Sequence, residues 1–204
     1  MKIEHKFELG NQQITLETNR IAKQADASVV VTCGETMVMA NICAAKTQKP
    51  DIDFFPLTVN YQEKYYASGK IPGGFFKREA RPTEGEVLTS RLTDRPIRPL
   101  FPKSFRNETQ VIITVLQSDG ENISDTWAGV GASAALLVSN IPWNGPIATV
   151  RVGMIGADFV FNPTREQLDD CVFEMVVSGN KENIVMVEGE ANDCLLYTSP
   201  SPRD

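Results

Sequence analysis

Two short segments carry the residue types best suited to chemistry. The first is Phe75-Phe76-Lys77-Arg78, set in a stretch that also holds Gly69, Pro72, Gly73, Gly74 and Pro82. Exposed aromatic rings stack on nucleobases at about 1–3 kcal/mol per base, with little regard for base identity. Lysine and arginine beside them neutralise phosphates. Two rings followed by two cations therefore suit a surface that passes single-stranded nucleic acid of any sequence. The competing reading buries both rings under the loop and leaves the cations solvated. Neighbouring side chains on an extended chain point to opposite sides, so one ring could be buried while the other meets a strand.

The second segment is Arg91-Leu92-Thr93-Asp94-Arg95-Pro96-Ile97-Arg98-Pro99. Arg91, Arg95 and Arg98 are spaced four then three, which places them on one helix face. Three guanidinium groups on one face repel unless an anion or carboxylates compensate. A phosphate backbone would be bound bidentately; Asp94, three or four residues from Arg91 and Arg98, is the internal alternative. A third group, Asp119, Glu121 and Asp125, matches no metal-loop spacing. It reads as a solvated turn leading into a charged helix N-terminus, which the helix dipole favours. His5, the one histidine, has no partner motif. No nucleophile elbow, phosphate-binding loop or histidine metal pattern is present.

The elements that must position these residues follow from patterning. Lys6 to Leu9 and Gln13 to Glu17 alternate around Gly10-Asn11, a hairpin signal. Ser28 to Cys33 and Met37 to Ala44 form a more buried hairpin around Gly34. Phe55 to Tyr61 reads as a further strand. Tyr65 to Pro82 is a long loop, because its glycines and prolines exclude regular structure. Thr83-Glu84-Gly85-Glu86 is a capping box opening a helix that Pro96 and Pro99 end or kink. Gln110 to Leu116 is a β-branched strand, and Thr126 to Val138, rich in Ala and Gly, a buried helix. Pro146 to Met154 and Asp158 to Phe161 make a hairpin, Thr164 to Asp170 a short capped helix, and Cys171 to Ser178 and Asn183 to Glu188 two last strands. Strands and helices in this order give an α+β or mixed layered domain.

The 204 residues suffice for one substantial domain. The formal net charge of −6 argues against a simple nucleic-acid binder, but the cations cluster between Lys77 and Arg106. Cys33, Cys43, Cys171 and Cys194 form no C-x-x-C pair and fit free thiols in a reducing cytosol. The N-terminus does not read as a signal peptide. No apolar run approaches the ~20 residues that span a bilayer.

Together these motifs resemble the first core domain of bacterial polynucleotide phosphorylases, from Met1 to about Asp193. The likeness rests on the Phe75 to Arg78 loop, with Lys77 where the family has arginine, and on the arginine-rich Arg91 to Pro102. It extends to Pro56-Leu57-Thr58-Val59, Gly69-Lys70-Ile71-Pro72-Gly73, Ala128-Gly129-Val130 and Val185-Met186-Val187-Glu188-Gly189-Glu190-Ala191. The resemblance implies an α+β, RNase PH-like β-α-β layered fold of the ribosomal protein S5 domain 2 type. It implies a polyribonucleotide nucleotidyltransferase: a cytoplasmic homotrimer that degrades RNA from the 3' end, with inorganic phosphate as co-substrate and nucleoside diphosphates as products. Each subunit would hold two such cores, a helical linker, and KH and S1 RNA-binding domains, with an RNA degradosome as a further partner. Mg2+ and phosphate would be bound by the second core. The first core would contribute RNA contacts through Phe75, Phe76, Lys77 and Arg78 in a central channel, and through Arg91, Arg95 and Arg98 along the RNA path. It would also serve trimer assembly, with no catalytic or metal-binding residue of its own.

On that reading, residues 1–193 form the core, cut short before its terminal helix, and have no phosphorolytic activity alone. Apolar surface of the last strands would be uncovered and prone to aggregation. Residues 194–204, with Ser199-Pro200-Ser201-Pro202, depart from the family and read as a non-biological tail; a natural disordered tail is the alternative. Two other functions stay open: a non-catalytic RNA-binding or scaffold module acting in trans, and a stand-alone RNase PH-type enzyme. Glu188-Gly189-Glu190 does not clearly supply the acidic site the latter needs.

Overall fold

The computed structural model describes residues 2–10, 12–50, 52–75, 77–79 and 81–191. Strands β1 (Ile3–Leu9) and β2 (Gln12–Thr18) pair in register about Gly10, whose φ is +59°. β3 (Ala27–Cys33) and β4 (Thr36–Ala44) form the second hairpin. β5 (Leu57–Glu63) is joined to β6 (Thr109–Gln117) through helix α1 (Glu84–Ile97). That crossover allows β5 and β6 to pair in parallel, which a tight turn cannot do. The resulting sheet has the order β1-β2-β3-β4-β6-β5.

Helix α2 (Ser124–Val138) leads to the second half: β7 (Ala148–Ile155), β8 (Asp158–Phe161), the short α3 (Arg165–Asp169), β9 (Phe173–Gly179) and β10 (Ile184–Ala191). These strands form an antiparallel sheet of order β10-β9-β7-β8. The element order is the one the sequence predicts, with one refinement. The loop after β5 opens with a turn of 3-10 helix, Tyr65–Ser68, closed by Gly69 at φ +68°.

Helix α2 sits between the two sheets, and its glycines explain how. Ala128, Ala132, Ala135 and Leu136 are buried with Val31, Val38, Ala40, Ile42, Val111 and Ile113 of the first sheet. A Cβ on Gly131 would lie 3.2 Å from Val31 and 3.3 Å from Ala40; one on Gly129, on the other face, would lie 2.5 Å from Thr149 Oγ1 in β7. Each glycine lowers helix propensity by about 1 kcal/mol, a cost offset by the close approach of a sheet on each side.

The capping box predicted at Thr83 is present: Glu86 N–H donates to Thr83 Oγ1 (3.2 Å), and Thr83 N–H donates to the Glu86 carboxylate (2.6 Å). Pro96 lies inside the last turn of α1, and the chain tightens to 3-10 geometry over Arg98–Leu100. The indole N–H of Trp143 donates to the Ile97 carbonyl (3.1 Å), satisfying an acceptor that the helix end leaves open.

The outer face of the second sheet is apolar. The register aligns Val152 with Phe161 and Met175, Met154 with Phe159 and Phe173, and Val150 with Val177, which in turn pairs with Val187. Phe159, Phe161 and Val187 are 61%, 68% and 51% exposed. The sequence-based expectation for residues 194–204 falls outside the described residues.

Candidate RNA-contacting surface

The aromatic loop is fixed at its base and open at its tip. Glu79 closes it: Lys64 Nζ pairs with one carboxylate oxygen (2.7 Å) and the Tyr65 N–H donates to the other (3.2 Å). The Lys64 ammonium first, then the Tyr65 amide, holds the Glu79 carboxyl below the usual carboxylate range. Within the base, Lys70 N–H donates to the Tyr65 carbonyl (3.0 Å). At the tip Phe75 is 94% exposed, next to Gly74 at φ +76°. Lys77 and Arg78 are exposed, and Lys77 takes φ +50°, uncommon for a residue with a Cβ. Phe76, the other predicted ring, lies outside the described residues.

The three arginines of the second segment take different places. Arg91 is exposed on α1, and its side chain makes no hydrogen bond or ion pair among the described residues. Arg95 pairs with Glu188 of β10 (3.0 Å), with the side chains 65% and 50% exposed. Such a pair contributes less than about 1 kcal/mol and exchanges readily for another anion. Arg98 is engaged inward. Its Nε and Nη2 bind Asp94 (3.1 and 2.8 Å), and Nη1 and Nη2 donate to the carbonyls of Phe55 (3.2 Å) and Leu57 (3.1 Å). Arg98 therefore ties the end of α1 to the start of β5, beside the Phe55–Phe101–Phe105 ring cluster.

The acidic group is more structured than the predicted solvated turn. Asp119 accepts from Thr36 Oγ1 (2.9 Å), from the Glu121 and Asn122 amides (2.9 and 2.8 Å) and from Asn122 Nδ2 (2.7 Å). Burial alone would raise its pKa, but these donors outweigh burial and hold it at about 2. Burial, then the Asp119 charge, pushes the neighbouring Cys33 thiol up to about 11, consistent with an inert structural thiol. Asp125 does not point to solvent either: with Glu174 it flanks Arg151, joining α2 to the second sheet. No three His, Cys, Asp or Glu side chains converge as metal donors among the described residues. Asp119 already has its oxygens occupied by donors of the chain, so these residues do not fit a Mg2+ site.

Sequence reasoning missed the Glu79 latch and the Asp125–Arg151–Glu174 bridge. Glu79 directly follows the cations of the loop and could have been matched to Lys64 across the loop's two ends. Nothing local marks Arg151.

Two sheets around a glycine-rich helix, with a charged helix crossing between parallel strands, define the RNase PH-like class of α+β fold. The chain superposes on an Archaeoglobus fulgidus exosome chain, from a structure with RNA bound to the active site, with a TM-score of 0.68 at 20% identity, covering 94% of this chain and 80% of that one. Rice Rrp46 gives 0.69 at 13% identity, covering 89% and 81%. At such identities the likeness concerns the fold. Residues 10–142 match domain 1 of the 3' exoribonuclease family and residues 145–198 match its domain 2, so the chain belongs to that family. The boundary falls between α2 and β7, where the second sheet begins. The polyribonucleotide nucleotidyltransferase of Rhizobium meliloti (strain 1021) is 54% identical over 93% of this chain, and that of Rhodospirillum centenum 58% over 90%. The chain spans only 27% and 26% of those two proteins.

Proposed function

We propose that this chain is the RNA-guiding core of a phosphate-dependent 3'-to-5' exoribonuclease, a polyribonucleotide nucleotidyltransferase. In the whole protein inorganic phosphate attacks the terminal phosphodiester of RNA and releases a nucleoside diphosphate. The groups that bind phosphate and Mg2+ belong to a second core, and the assembly is a cytoplasmic homotrimer. This core supplies the loop that grips RNA. The observation that carries the reading is Phe75, almost fully exposed at the tip of a loop whose base is locked by Glu79. So exposed a ring offers a stacking surface to a base, and the adjacent Lys77 and Arg78 suit a polyanion. Arg91 and Arg95 extend the cationic surface along α1. Arg98 reaches RNA only by giving up Asp94 and two carbonyls.

The test is fluorescence anisotropy of labelled oligo(A) with the chain. Phe75→Ala is expected to weaken binding at least about fivefold, the loss of one stacking contact. Unchanged affinity in that variant would overturn the reading. In parallel, the chain with oligo(A), phosphate and Mg2+ is expected to release no ADP; release would place the reaction's chemistry in this core.

A further inference from the structure

We propose that the groove under the aromatic loop is a second nucleotide subsite, in which Lys70 and Arg81 hold one phosphate of a single-stranded RNA beside the Tyr65 ring. The inference rests on the functional reading above and extends it to residues outside the aromatic tip and the helix arginines. The groove measures about 310 Å³ and lies between the 3-10 turn, the segment after Glu79 and the first turn of α1. That is the lower end of ligand-site volumes, about 300 Å³, and suits a single nucleotide unit.

Free hydrogen-bond capacity, rather than net charge, decides what the groove can hold. Formally its three acids, Glu63, Glu79 and Glu86, cancel its three cations, Lys64, Lys70 and Arg81. The acids, however, are engaged by the chain itself. Glu79 accepts from Lys64 and the Tyr65 amide. Glu86 accepts from Thr83 and from the Glu63 amide (2.8 Å), and Glu63 accepts from the Tyr61 hydroxyl (2.8 Å). Lys64 is engaged by Glu79. Lys70 and Arg81 are exposed, and their side chains make no hydrogen bond or ion pair among the described residues. The groove therefore offers two uncommitted cations, one of them a guanidinium suited to bidentate phosphate contact. Tyr65, 44% exposed, supplies an aromatic surface at the same place.

Chain connectivity places this pair on the same path as the tip. Lys70 precedes Phe75 by five residues, at most about 18 Å of extended chain, and Arg81 follows it by six. A strand whose base stacks on Phe75 thus has a phosphate site at the root of the same loop.

The experiment measures the affinity of the chain for labelled oligo(A) across a salt series. For single strands, the logarithm of affinity falls with the logarithm of salt by about 0.7 per phosphate contact. Lys70→Ala/Arg81→Ala is expected to make that slope shallower by up to about 1.4, while the charge-keeping pair Lys70→Arg/Arg81→Lys restores it. An unchanged slope, with Phe75→Ala still weakening binding, overturns the subsite alone. No binding of oligo(A) at low salt overturns both this inference and the functional reading. Calorimetric binding of inorganic phosphate that the double alanine variant abolishes, with its RNA slope unaltered, assigns the groove to a small anion and overturns the RNA subsite.

Discussion

Replacing Arg151 with methionine should destabilise the fold by about 3–5 kcal/mol, the range for removing one partner of a buried ionic group. The Arg151 side chain is only 13% exposed; Asp125 is 12% and Glu174 30% exposed. One Nη binds Asp125 at the start of α2, and the other binds Glu174 of β9 at 2.6 Å. Methionine matches the length of the aliphatic stem but leaves two carboxylates facing each other without a cation. For a chain of this size each kcal/mol moves Tm by about 2–4 °C, so the expected drop is about 6–20 °C by circular dichroism, with a matching shift of the urea midpoint. The triple variant Asp125→Asn/Arg151→Met/Glu174→Gln removes the charges together and should recover most of the loss, because the desolvation cost vanishes along with the attraction. A loss below about 1 kcal/mol for the single variant, or a triple variant no better than the single one, would refute the claim that this bridge holds the second sheet to α2.

Four further outcomes rest on other contacts of the fold. Gly129→Ala places a Cβ 2.5 Å from Thr149 Oγ1 and should destabilise by about 1–3 kcal/mol, whereas Gly131→Ala, with contacts of 3.2 and 3.3 Å, should lie near neutral; equal urea midpoints for the two would contradict the packing. Asp119 titrates at about 2 rather than its ordinary 3.8, so its stabilisation is complete above pH 4 and is lost as pH falls through 2. The Tm gap between the parent and Asp119→Asn should therefore narrow across that window, and a constant gap would argue against the assignment. Glu79→Gln should speed amide hydrogen exchange in residues 65–78 while leaving α2 and β6 protected; uniform exchange would mean that the loop base is held by other contacts. Phe161→Lys on the outer face of the second sheet should reduce concentration-dependent association in sedimentation velocity, and undiminished association would shift attention to another surface.

Most elements were legible because their signals are local. The valines of Ser28 to Cys33, the capping boxes at Thr83 and Thr164 and the Ala/Gly pattern of α2 each act within a few residues, and each element appears within two or three residues of its predicted bounds. What stayed hidden depends on which strands become neighbours. Thr36 and Asp119 are 83 residues apart, and Asp125 meets Arg151 only after β7 folds back over α2. No periodicity records that meeting, so Asp125 reads from sequence as a helix-terminal charge rather than as half of a bridge.

The arginine segment lies between these cases, and its outcome bears on function. Asp94 is three residues after Arg91 and four before Arg98. An acid placed four residues N-terminal to a base is the favoured helical order, while a base preceding an acid is not. Local physics thus selects Arg98, and the structure adds a second reason. At the end of α1 its guanidinium can pass beyond the helix to the carbonyls of Phe55 and Leu57, which Arg91, two turns earlier, cannot do. Because Asp94 is held by Arg98, the Arg91 side chain has no ion-pair partner among the described residues, and Arg95 pairs there with the exposed Glu188. The same carboxylate that fixes the helix end thereby leaves the Arg91 side chain without an ion-pair partner among the described residues, at mid-helix, beyond a first turn that carries Glu84 and Glu86.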